Sequence, residues 1–185
     1  MDKTSIWLNT QHGQKLYPFA FTFDQFHLPS FAQSMSKKVR YAGMTARDIS
    51  TAEHSLLLSY IVTPQNAPYA LVHDMGEVPF GDIPGPVKAA PECAGIKMAE
   101  EAVTRTIALG LGLTWPFPAE VDILDKLVTN VEATLVFDEL HESWEFRTAA
   151  GYEQQVEEYR RRLMFLPPGE AYTQFIRRFQ ELFCN

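Results

Sequence analysis

Hydrophobic and polar positions follow two different rhythms along this chain. Before residue 30, aromatics are interleaved with turn formers: Phe19, Phe21, Phe23 and Phe26 fall among Pro18, Pro29 and short polar residues. The alternation in Phe19-Ala20-Phe21-Thr22-Phe23 predicts a short extended piece rather than a helix. That many rings must pack onto the body, because left exposed they would be a liability. From Pro29 the rhythm becomes helical and stays so. Ser50 or Thr51 offers a hydroxyl cap before AEHSLLLSYIV, which marks a helix start. A second helix should run through APYALVHDMGEV and end ahead of Pro79. Residues 79–91 hold four prolines and two glycines, which predicts a loop with a defined path. Residues 92–109 read as a helix closed by Gly110 and Gly112, and Pro118 suits the first turn of a helix over 119–136. There Val121, Leu124, Val128, Val131 and Leu135 recur at three- and four-residue steps and form a core-facing stripe. GYEQQVEEYRRRL forms a charged helix, and after Pro167-Pro168 EAYTQFIRRFQELF forms the last one. No repeat, low-complexity tract or boundary interrupts this series. The expected fold is all-α: one compact helical bundle over residues 1–185, with a short irregular N-terminal segment.

Composition narrows the setting. A chain of 185 residues that is 46% hydrophobic can bury a sizeable core as one soluble domain. No stretch approaches the roughly 18 to 20 uninterrupted apolar residues of a membrane helix. The opening MDKTSIWLNTQHGQ lacks the basic start and apolar centre of a signal peptide. Cys93 and Cys184 stand far apart without metal-ligand spacing, so a reducing cytoplasmic setting is expected. A net charge of −7 argues against a polymeric nucleic-acid partner. It leaves room for a small anion where cations gather. Lys37, Lys38 and Arg40 form one such cluster and Lys88 is another candidate, although the two adjacent lysines read more simply as solvated surface.

Chemistry concentrates on three predicted helices. His54 lies on the first, His73-Asp74 on the second nineteen positions later, and Asp125 on the third, with Asp122 one turn earlier as its competitor. Two imidazoles and two carboxylates make a mixed nitrogen and oxygen set suited to Mn, Fe, Co, Ni or Zn. Taken singly, each has a plainer reading: a core histidine, a solvated helix carboxylate, a chance dipeptide. Glu77 follows Asp74 by three positions and His73 by four, so on a helix it would share their side. Asp82 follows in the proline-rich stretch, as a second acid or as a loop cap.

The surrounding text is more specific than any one residue. Arg40-Tyr41 precedes Ala52-Glu53-His54-Ser55. Next His73, Asp74, Glu77, Gly81, Asp82, Pro84, Pro86 and Lys88 spell H-D-x-x-E-x-x-x-G-D-x-P-x-P-x-K. Gly112-Leu113 and Trp115-Pro116-Phe117-Pro118 then lead to Asp125 and, seven positions on, Glu132. In this order the segments resemble the HD-domain phosphohydrolases, and along nearly the whole chain their deoxynucleotide-directed branch in bacteria and phages. The resemblance implies an HD-domain helical bundle in which His54, His73, Asp74 and Asp125 hold a divalent transition metal (Co, Mn, Zn, Fe or Ni). Additional Mg would arrive with substrate phosphates. It also prefers Asp125 over Asp122, since only Asp125 stands seven before Glu132. Glu77 would orient or deprotonate the attacking water, with Asp82 as a second acid near phosphate or sugar. Arg40 and Lys88 would contact phosphate, and Tyr41 would face the sugar. Tyr41 stands where relatives often carry Trp or Phe, Met44 where many phage relatives carry His, and Ala89 where some carry an aromatic.

The activity this implies is metal-assisted hydrolysis of a small-molecule 2′-deoxynucleotide. A dATP-type triphosphohydrolase releasing deoxynucleoside and triphosphate is the leading expectation. The alternative is a 5′-deoxynucleotidase that removes one phosphate from deoxynucleoside monophosphates. A lesser one is a non-catalytic nucleotide-binding protein with a structural metal. The same resemblance implies a homo-oligomer without membrane or polymer partners, in the host cytoplasm if the chain is phage-encoded.

Overall fold

A computed structural model describes residues 2–184. Eight α-helices follow one another among them: α1 (Leu28–Lys37), α2 (Thr51–Ile61), α3 (Ala67–Val72), α4 (Gly85–Lys88), α5 (Ala94–Gly110), α6 (Ala119–Val136), α7 (Glu153–Arg162) and α8 (Pro168–Phe183). The only sheet among the described residues is a two-stranded antiparallel hairpin, β1 (Leu8–Asn9) with β2 (Lys15–Leu16), pairing Leu8 with Leu16 and Asn9 with Lys15. The all-α expectation therefore holds.

Helix α2 is the hub. Ten of its eleven residues are buried, because α1, α3, α6, α7 and α8 all pack on it. Burial on nearly every side favours apolar or hydrogen-bonded side chains, although the Thr51 and Ser55 hydroxyls find no partner among the described residues. Leu56, Leu57, Leu58 and Ile61 are apolar, while Glu53 and His54 are hydrogen-bonded. Ser50 caps the helix by accepting the Glu53 amide at 3.1 Å. Glu53 does not close a capping box. Its carboxylate accepts the Met164 and Leu166 amides at 2.9 and 2.8 Å instead, fixing the α7–α8 connection onto α2. The core has two lobes. Phe31, Met35, Leu71, Met75, Val103, Ile107 and Phe175 form one, and Leu57, Leu58, Val121, Leu124, Val128 and Tyr159 the other.

Local structure departs from the expected elements in four places. Phe19–Phe23 is not a strand: a turn at 18–20 is followed by a 3-10 turn at Phe23–Gln25. The rings disperse to different partners, Phe19 edge-on to Phe80 at 5.6 Å and Phe21 against Phe31 at 6.0 Å, so a two-sided strand would serve them poorly. Helix α3 stops at Val72, and a 3-10 turn, Met75–Glu77, takes over. Gly76 explains the change. A Cβ there would lie 2.1 Å from Thr104 Oγ1 and 2.3 Å from the Glu100 carbonyl oxygen, so this turn is pressed flat onto α5. Within 79–91 the loop contains one helical turn, α4, ending at Lys88. Pro118 precedes α6 as its N-cap, with φ −56° and ψ 137°, instead of entering its first turn.

Candidate metal centre and phosphate-sized hollow

His54 projects from the buried middle of α2, and His73-Asp74 stand where α3 gives way to the 3-10 turn. Asp125 and Glu132 come from α6. The His54 and His73 Nε2 atoms lie 3.3 Å apart. Asp125 Oδ1 is 3.0 Å from the first and 3.8 Å from the second. Asp74 Oδ1 is 3.2 Å from His73 Nε2, and its Oδ2 is 3.8 Å from His54 Nε2. An ion bound about 2.0–2.2 Å from each donor requires neighbouring donors roughly 3.0–3.5 Å apart. The His54–His73, His54–Asp125 and His73–Asp74 separations fit that requirement while the two of 3.8 Å exceed it, and His54, His73 and Asp74 together could hold an ion. Asp122 takes no part: it is 66% exposed and pairs with Lys126 on the helix surface.

Both rings are aimed from behind. His73 Nδ1 lies 2.7 Å from the Ala70 carbonyl, an acceptor only, so Nδ1 carries a proton and Nε2 faces inward. His54 Nδ1 lies 2.7 Å from Glu132 Oε1, with the same consequence. Burial and Arg40 both oppose a charge on His54, but Glu132 and Asp125 outweigh them and push its pKa up to about 10. Burial likewise opposes the charge on Asp125, and the two imidazoles override it to hold that carboxyl well below the usual range. Glu132 is fully buried. Burial raises its pKa, yet Arg40, His54 and Tyr159 bring it down to about 2.

Arg40 and Tyr41 occupy a turn tied to the start of α2. The Arg40 amide donates to Ile49 O at 2.9 Å and the Thr51 amide to Lys38 O at 3.0 Å. Tyr41, Ala42 and Gly43 then take φ values of 59°, 54° and 68°. Left-handed backbone costs a non-glycine residue about 1–2 kcal/mol, so contacts made by the turn must hold it. Tyr41 supplies one. Its hydroxyl lies 2.9 Å from Glu132 Oε2 and 3.0 Å from the Thr129 carbonyl, and its single proton favours the carboxylate as the stronger acceptor. Arg40 donates Nε–H to Glu132 Oε2 at 2.9 Å, and its Nη1 and Nη2 make longer contacts of 3.4 Å to Asp74 and Thr129. One edge of the guanidinium is therefore committed and the other is loosely held.

Across the opening, Lys88 Nζ lies 2.5 Å from Glu77 Oε1 and 3.0 Å from Glu100 Oε2. Among the described residues, Glu77 Oε2 and Asp82 Oδ2 are buried without a hydrogen-bond partner, so this oxygen of Asp82 makes no loop-capping bond. Burial and the neighbouring Asp74 raise the Glu77 pKa to about 8 against the pull of Lys88. Lys38 departs from its expected place on the surface. Its ammonium donates to the Glu77 and Val78 carbonyls at 2.5 and 2.8 Å, while Lys37 is exposed. Arg40, Tyr41, Asp74, Glu77, Asp82, Lys88 and Asp125 line a hollow of about 190 Å³. That is below the roughly 300–1,000 Å³ of a drug-sized ligand pocket. It suits a phosphate group and its attachment better than a whole nucleotide.

The sequence singles out neither Tyr159 nor Glu100, offers Lys38 as a member of a cation cluster or as solvated surface, and marks Glu132 only by its spacing. Two signals were present. Glu132 falls beside the Val128–Val131 stripe, where a charge must be paired. Tyr152, Val156, Tyr159 and Leu163 recur at three- and four-residue steps through an otherwise charged helix, marking its inner face. Glu100 carries no such mark.

No family model matches the chain. Similar proteins include Uncharacterized protein YfdR of Escherichia coli (strain K12), 26% identical over 176 residues that cover 95% of this chain and 95% of that one. An uncharacterized protein of Rhodobacter capsulatus is 27% identical over 143 residues, 72% of each chain. Neither description carries an activity.

Proposed function

We propose that this chain is a metal-dependent phosphohydrolase acting on 2′-deoxynucleotides. The observation that carries the reading is the convergence of two imidazole Nε2 atoms on Asp74 and Asp125, two aspartates that line one hollow with Arg40, Lys88 and Glu77. His54, His73, Asp74 and Asp125 would hold a divalent cation, which when bound supplies a more acidic water and a Lewis acid for a phosphoryl oxygen. Arg40 presents its two loosely held Nη atoms, and Lys88 its ammonium, to the substrate's phosphate oxygens. Glu77, with one free buried oxygen and a raised pKa, accepts the proton of the attacking water at Oε2. Asp82 lines the same hollow and would act as a second acid near the scissile phosphate or the sugar.

The resemblance to phage dATP triphosphohydrolases favours release of triphosphate. A second reading, removal of one phosphate from a monophosphate, is supported by the small hollow and by cations already paired with Glu77, Glu100 and Glu132. A triphosphate would need Mg of its own to offset its charge. A panel of deoxy- and ribonucleotides with Mn, Co, Zn or Mg, read for phosphate, pyrophosphate and triphosphate, separates these outcomes. Triphosphate from dATP supports the leading reading, and orthophosphate from dAMP with dATP untouched supports the second. Absence of turnover with every nucleotide and metal overturns the enzyme and leaves a binding protein.

A further inference from the structure

Glu132 touches neither solvent nor the hollow, yet it meets both halves of the candidate site. A carboxylate offers about four lone-pair directions, and four donors converge on this one. His54 Nδ1 at 2.7 Å and the Tyr159 hydroxyl share Oε1, while Arg40 Nε and the Tyr41 hydroxyl, each at 2.9 Å, share Oε2. With its acceptor capacity filled, Glu132 has nothing left to offer an ion, a water or a substrate. Its effect must pass through the groups it holds.

We propose that Glu132 is the positioning residue that joins cation binding to anion binding, by fixing the His54 ring for a metal with one oxygen and the Arg40 guanidinium for a phosphate with the other. The inference rests on the reading that the His54 set holds a cation. On the cation side, Oε1 keeps the proton on His54 Nδ1, so only Nε2 can give a lone pair, and Nε2 faces His73 and Asp125. Buried histidine ligands depend on such a partner for tautomer and orientation. On the anion side, holding Nε turns Nη1 and Nη2 toward Asp74 and Thr129 at the rim of the hollow.

The two sides respond differently to Glu132→Gln. Arg40 has only donors to offer, so the amide oxygen must turn to it. The amide NH2 then faces His54 Nδ1, which becomes an acceptor, and the ring's proton moves to Nε2, where it blocks a metal. Calorimetric titration with Co(II), and separately with inorganic phosphate, reads each side without turnover. Glu132→Gln is expected to weaken Co(II) binding by about 10–100-fold, the scale for losing such a partner, while keeping most phosphate affinity. Arg40→Met is expected to do the reverse. In the zinc-loaded chain, ¹⁵N shifts of His54 should report a protonated Nδ1 that Glu132→Gln abolishes. If Glu132→Gln fails to fold, the pair Glu132→Leu with Arg40→Met removes both buried charges, and its Co(II) affinity is compared with that of Arg40→Met alone. Equal Co(II) affinity in either comparison overturns the positioning role. Absence of Co(II) binding by the parent chain overturns the metal-centre reading beneath it, and the inference with it.

Discussion

Glu77 and Lys88 form a close ion pair at the hollow, with Nζ 2.5 Å from Oε1. In the ion-free chain the Glu77 carboxyl is expected to titrate near pH 8, since burial and Asp74 disfavour its charge more than Lys88 favours it. Replacing Lys88 by Met removes the opposing cation, so the titration should move to higher pH. Adding a divalent ion should move it down, because positive charge nearby stabilises the carboxylate. Carboxyl ¹³C shifts followed from pH 4 to 10 measure all three. A Lys88→Met chain whose Glu77 titrates at or below the parent value would show that the lysine does not act on it.

Asp74 and Glu77 are three positions apart and should fail differently. Asp74→Ala removes an inward-facing oxygen donor and is expected to abolish both bound metal and hydrolysis. Glu77→Ala leaves the donor set intact and is expected to keep the metal while slowing hydrolysis by roughly 100-fold or more, the scale for a general base. Metal content by mass spectrometry beside turnover separates the two, and a fully metallated Asp74→Ala chain would contradict the donor assignment. At this scale the sequence was readable for groups that touch the hollow, whose types announce their chemistry. It was not readable for the groups behind them. Glu132 meets Arg40 across 92 positions and His54 across 78, and Tyr159 meets Glu132 from another helix. No local pattern records such distances.

At the scale of elements, long helices followed from periodicity and short ones did not. Helix α6 spans the expected 119–136 and buries Val121, Leu124, Val128 and Val131, because the apolar stripe runs through nearly its whole length. The end of α3 was invisible, because its cause is the pressure of α5 on Gly76 and lies outside the segment. Gly76→Ala tests that cause. The added methyl collides with the α5 backbone at Glu100 as well as with Thr104, and backbone cannot step aside as a side chain can. A loss of about 1–3 kcal/mol in urea unfolding is expected, the range for overpacking a tight contact. It should come with weakened metal binding, since the same turn carries Asp74 and Glu77. Unchanged stability would mean that the approach of the turn to α5 relaxes freely.

At the scale of the molecule, the candidate donors come from three separate elements around the buried hub: α2, the end of α3, and α6. An ion bound there draws together segments that are otherwise joined by loops, and it binds only when all three are in place. A ligand that recognises only the folded state stabilises it by about 2.7 kcal/mol at a hundred times its Kd. For a domain of this size that corresponds to a Tm increase of roughly 5–10 °C. The increase should grow with the logarithm of the free metal concentration, vanish on chelation, and be absent in Asp74→Ala. Asp122→Ala should retain it, since Asp122 is exposed on the outer face of α6 and pairs with Lys126. Thermal unfolding across a Co(II) series in the three chains measures this. An equal rise in the parent and Asp74→Ala would place the stabilising ion elsewhere, and no rise in the parent would separate the convergence of these side chains from metal binding altogether.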